Sequence, residues 1–124
     1  MTLRILDLLT QIEESCCIIQ QRTSGINTYQ DFLLSPDGMF ILDGVCMKLI
    51  FIGESVKNID KITNHTLLIN YPEVPWKDLM GLRDIIVHQY HRIDAEAIFD
   101  TLQNDIPNLL ATISEIKLIL SSQY

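Results

Sequence analysis

Residues 35–62 read Ser35-Pro36-Asp37-Gly38-Met39-Phe40-Ile41-Leu42-Asp43-Gly44-Val45-Cys46-Met47-Lys48-Leu49-Ile50-Phe51-Ile52-Gly53-Glu54-Ser55-Val56-Lys57-Asn58-Ile59-Asp60-Lys61-Ile62. The beginning of this stretch signals a helix three times. Ser35 can cap it, Pro36 suits the first helical position, and Asp37 sits where the positive end of the helix dipole favours a carboxylate. The pattern predicts one helix to about Ile62. Its middle, Val45 to Ile52, is apolar nearly all round, and such a helix is covered on most sides. One small domain can hardly cover it alone, so a subunit interface is expected along it. Gly44 and Gly53 each cost about 1 kcal/mol relative to alanine inside a helix. Close approach by another helix is the expected reason for both.

Upstream, Leu3 to Arg22 reads as a helix, with Ile5, Leu8, Leu9, Ile12, Cys16 and Ile19 recurring at three- and four-residue steps. Thr23-Ser24-Gly25 ends it, and a short helix capped by Thr28 follows to Leu33. Downstream, Thr63 to Val74 is a connection with a helical turn near Thr66 to Asn70. Tyr71-Pro72 and Val74-Pro75 keep the backbone extended before each proline. Pro75 opens a third long helix, Trp76 to about Val87. Asp94 caps a last helix from Ala95 to about Leu120, which Pro107 kinks or briefly breaks. The result is an all-α, up-and-down bundle of four main helices, expected as a single domain over residues 1–124. No alternating strand pattern competes with it.

Composition agrees. The chain has 124 residues, 48% hydrophobic and 20% charged, with 5 Gly and 4 Pro. It can bury a real core without staples. The net charge of -7 argues against nonspecific coating of nucleic acid, which usually needs a basic face. Any nucleic-acid contact must use a local basic patch or a groove shared between subunits. Cys16, Cys17 and Cys46 have no metal-type spacing. They are expected as small buried apolar side chains in a reducing compartment, the cytoplasm. The N-terminus is not a signal peptide, and the apolar run Gly44 to Gly53 is too short to span a bilayer.

Chemistry concentrates in Gly81-Leu82-Arg83-Asp84-Ile85-Ile86-Val87-His88-Gln89-Tyr90. Arginine offers a planar fork of donors that matches two phosphate oxygens. Histidine carries protons near neutral pH, and tyrosine supplies a modifiable hydroxyl. Together they suggest phosphate-ester chemistry, in which His88 would move protons and Arg83 would stabilise charge on the phosphorus centre. On an uninterrupted helix, positions 83 and 88 point roughly 140° apart. Either the helix ends near Val87, or a two-fold axis brings two copies of the motif together. Glu54, a carboxylate in an apolar helix, needs a partner, and Arg83 is expected to be it. Asp84 is a candidate for orienting His88 or a group of the partner chain. The plainer alternatives are a surface ion pair for Arg83 and a helix-terminal histidine for His88. His65 and His91 read as ordinary surface residues and Trp76 as a core anchor. No metal site or cofactor is expected.

With this motif and two further stretches, Ile52-Gly53-Glu54-Ser55 and Tyr71-Pro72-Glu73-Val74-Pro75-Trp76, the sequence resembles HEPN-domain proteins of the HepT type, the toxins of prokaryotic toxin–antitoxin pairs. The family motif is arginine, four residues, histidine, any residue, tyrosine; here Arg83, His88 and Tyr90, with Asp84 as the polar residue after the arginine. The resemblance implies a homodimer with two motifs facing one cleft, metal-independent ribonuclease activity on RNA, and a minimal nucleotidyltransferase as antitoxin. It also implies AMPylation of the motif tyrosine, which by position is Tyr90. The rival expectation is a noncatalytic HEPN interaction or nucleotide-binding module.

Overall fold

The computed structural model describes residues 2–88 and 94–123, apart from the His88 side chain. Among the described residues six helices follow in order: α1 (Thr2–Arg22), α2 (Pro36–Ile62), α3 (Trp76–Met80), α4 (Leu82–His88), α5 (Ala95–Asn104) and α6 (Ile106–Ser122). Short 3-10 turns occupy Tyr29–Phe32 and Leu68–Asn70. There is no strand among the described residues, and the fold is the all-α helical bundle expected.

The long central helix begins as its sequence dictates. Ser35 Oγ accepts the Gly38 N–H at 2.9 Å, which satisfies one of the donors left open at a helix start. Ahead of it, the Asp31 carboxylate accepts from the backbone N–H groups of Asn27 (2.8 Å) and Thr28 (3.2 Å). In α1 the buried set is Ile5, Leu9, Ile12, Ser15, Cys16 and Ile19, with Leu8 partly covered. α1 packs against α2 and, most extensively, against α6. Glu13 ties that second contact. Its carboxylate accepts from Ser114 Oγ at 2.7 Å and Lys117 Nζ at 2.8 Å. These two bonds hold the Glu13 carboxyl below its ordinary range.

One helix expected to be continuous is divided, and the last is broken as Pro107 predicts. The third breaks at Gly81 into α3 and α4; glycine is a poor helix former and gives the chain a place to change direction. The last breaks at Asp105, just before Pro107 in the first turn of α6. Proline lacks the N–H that would continue the ladder, and its ring clashes with the carbonyl four residues back.

The two glycines inside α2 beyond its first turn, Gly44 and Gly53, have opposite surroundings. A Cβ on Gly53 would collide with the Leu79 carbonyl oxygen, so this position lets α3 close against α2. A Cβ on Gly44 would meet nothing within 4 Å, and among the described residues the expected helix contact is absent there. The face around Gly44 is also uncovered: Phe40 is 80% exposed, Met47 70% and Phe51 40%. Burial pushes the Cys16 thiol up to about 12 and the Cys46 thiol to about 11. Cys17 departs from expectation and is exposed; it lies one position on from buried Cys16, about 100° around the helix. Among the described residues, no helix is long and apolar enough to cross a membrane.

Candidate functional site

The site is set by how α4 is held against α2. The connection before it is tied by Trp76, whose indole Nε1 donates to the Tyr71 carbonyl at 2.8 Å. Asn108 of α6 donates to the Glu73 carbonyl at 2.7 Å. Trp76 packs partly buried against the core, the anchoring role its sequence position suggests. Gly53 admits α3, and Leu82 and Ile86 bury the inner face of α4. This leaves Arg83 beside Glu54.

Arg83 Nη1 donates to Glu54 Oε1 at 3.2 Å. The Arg83 side chain is 59% exposed and that of Glu54 38%. Lys57 Nζ stands 3.8 Å from the other oxygen of Glu54, a neighbour the sequence reading did not anticipate. An ion pair this wet contributes at most about 1 kcal/mol to stability. Its effect is positional: one donor fixes the guanidinium, and the side chain stays more than half exposed, where a phosphate could take further donors in bidentate fashion.

Asp84 is exposed on α4. His88 closes α4 as its last residue, so backbone positions 83 and 88 belong to one helix. Tyr90, and with it His91 and Arg92, lies outside the described residues. His65 is a surface residue after α2, with Nδ1 2.6 Å from Asp60 Oδ2. Among the described residues, no three His, Cys, Asp or Glu side chains are placed to hold a metal ion.

The all-helical bundle is consistent with a HEPN-like fold. The family model for Ribonuclease HepT-like proteins matches residues 12–116. A Thermococcus cleftensis protein named "Probable ribonuclease HepT" is 30% identical over 111 residues, 90% of this chain and 94% of its own length. A Caldanaerobacter subterraneus subsp. tengcongensis protein named "Putative RNase" is 31% identical over 108 residues, 87% of this chain and 89% of its own. A Methanocaldococcus jannaschii protein, also named "Putative RNase", is 40% identical over 72 residues, 58% of this chain and 56% of its own. No solved structure matches the chain. The chain belongs to the HepT-like ribonuclease family.

Proposed function

We propose that this chain is a metal-independent endoribonuclease, the toxin of a toxin–antitoxin pair. It acts in the cytoplasm as a homodimer of single-domain protomers and is silenced by a minimal nucleotidyltransferase that transfers AMP to Tyr90. The observation that carries the reading is the Arg83 guanidinium, fixed by Glu54 and open to solvent, on the same short helix that ends in His88.

The reaction needs two services from the protein. The RNA 2′-hydroxyl attacks the neighbouring phosphorus, the bond to the 5′ oxygen breaks, and a 2′,3′-cyclic phosphate and a 5′-hydroxyl result. His88 takes the proton of the attacking hydroxyl or supplies one to the leaving oxygen, a contribution of roughly 10²–10⁴-fold. Arg83 meets the charge that builds on the phosphorane oxygens. Asp84, one turn before His88, is the candidate to orient it. Positions 83 and 88 lie roughly 140° apart around one helix, which favours a second copy supplying the complementary group. Exposed Ile85 and Val87 on α4, the helix that carries both positions, offer that copy an apolar surface. AMP on Tyr90, two residues beyond His88, would put bulk and negative charge where substrate phosphate belongs.

The test is growth arrest on expression together with RNA cleavage in vitro, compared between wild type and His88→Ala. Arrest and cleavage are expected only from wild type, and equal toxicity of the two proteins counts against the nuclease. Incubation with ATP and the partner should add the mass of AMP to the peptide containing Tyr90 and leave Tyr90→Phe unlabelled. Light scattering should give twice the protomer mass at micromolar concentration; a monomer removes the shared cleft.

A further inference from the structure

The uncovered face around Gly44 opens onto a trough between α1 and α2, about 250 Å³ in volume. Ile18 and Ile41 are among the apolar residues that line it, and Arg22 and Lys48 stand on its opposite walls. Phe40, 80% exposed, flanks it. No carboxylate lines it. Neither cation takes part in an ion pair among the described residues, although the chain carries a net charge of -7. Gly44 contributes a gap where any other residue would place a Cβ. The adjoining hollow shares Arg22 and Ile41 but holds Asp31 and Asp37, so the stretch favourable to anions ends there.

We infer that this trough is a binding site for single-stranded RNA, separate from the Arg83 site, that holds substrate a few nucleotides away from the scissile bond. The inference rests on the ribonuclease reading and adds a second point of contact to it. Single strands are gripped by cations that follow the backbone and by aromatic faces on which bases stack. Phe40 provides the aromatic face. The gap at Gly44 admits a planar ring against the helix backbone. Arg22 from α1 and Lys48 from α2 provide the cations. Gly44 lies ten residues before Glu54, which is about 15 Å along α2. A dinucleotide cannot occupy both places, but a longer strand can. The trough thereby supplies the local basic patch that an acidic protein needs to retain RNA.

The experiment measures fluorescence anisotropy with an end-labelled single-stranded RNA of about ten nucleotides. Wild type is compared with Phe40→Ala and with Arg22→Gln/Lys48→Gln, and cleavage of a dinucleotide substrate is followed in parallel. Each variant is expected to bind the oligonucleotide about tenfold more weakly and to cleave the dinucleotide at the wild-type rate. The double variant should also lose about two phosphate contacts from the salt dependence of binding. Unchanged oligonucleotide affinity in both variants, with wild-type helicity by circular dichroism, overturns the inference, as does a wild type that binds no RNA. If RNA binding is intact while the nucleotidyltransferase loses its grip on the variants, the trough is a protein dock and the inference falls. If wild type cuts no RNA but oligonucleotide binding still depends on the trough, the binding site stands and the ribonuclease reading falls.

Discussion

Glu54 holds the Arg83 guanidinium through one 3.2 Å contact and leaves it wet. Arg83→Lys keeps the charge but replaces a planar fork with a point. It is expected to lower kcat for RNA cleavage by about 10²–10³-fold, near the loss from removing one oxyanion donor, with no change in Tm. This is checked by single-turnover cleavage and a melting curve. The pair was legible in the sequence although 29 residues separate its members, because a carboxylate in an apolar helix needs a cation and the motif supplies one. The trough was not legible. Arg22, Phe40 and Lys48 have no common spacing and meet only after α1 has folded back along α2. Asp105 was missed for a similar reason. Burial first, and then the nearby Asp78, push its carboxyl above the ordinary range. An acid with a raised folded pKa binds its proton more tightly when folded, so its contribution favours the fold at low pH and is lost as pH rises through the carboxylate range. Asp105→Asn should therefore raise Tm at pH 7 and lose that advantage near pH 4, which a melting series in pH would show.

Among the elements, α2 carries two glycines whose replacements should move stability in opposite directions. Gly53→Ala drives a methyl into the Leu79 carbonyl and should destabilise by about 1–3 kcal/mol, as overpacking does. It should also weaken cleavage, since α3 and α4 would be pushed off α2. Gly44→Ala meets only open space and should stabilise by up to about 1 kcal/mol through helix propensity. Urea midpoints of the two variants check both signs. Periodicity and capping residues located every long helix, because those signals are local. They could not tell which glycine faced a neighbour. Nor did they reveal the break at Gly81, where an unbroken apolar pattern across Trp76 to Val87 reads as one helix. Pro107 did announce its break, because proline's effect on the ladder does not depend on what surrounds it.

The whole bundle is closed by Glu13, which links α1 to α6 through Ser114 and Lys117. The hydrogen bond from Lys117 comes first among the causes that hold its carboxyl low, then that from Ser114. A depressed acid adds stability that is present above the ordinary carboxylate range and disappears as pH falls through its folded value. Glu13→Gln should cost about 2 kcal/mol at pH 7 and flatten the acid limb of the stability profile, measured by denaturation between pH 3 and 7. Glu13 and Ser114 are 101 residues apart in sequence. A ribosome adding about 5–20 residues per second needs roughly 5–20 s to travel that distance. Throughout that interval the face of α1 that carries Glu13 waits for the helix that will cover it. The emerging polypeptide is thus sticky until α6 has been made, and α6 is the helix that seals this face.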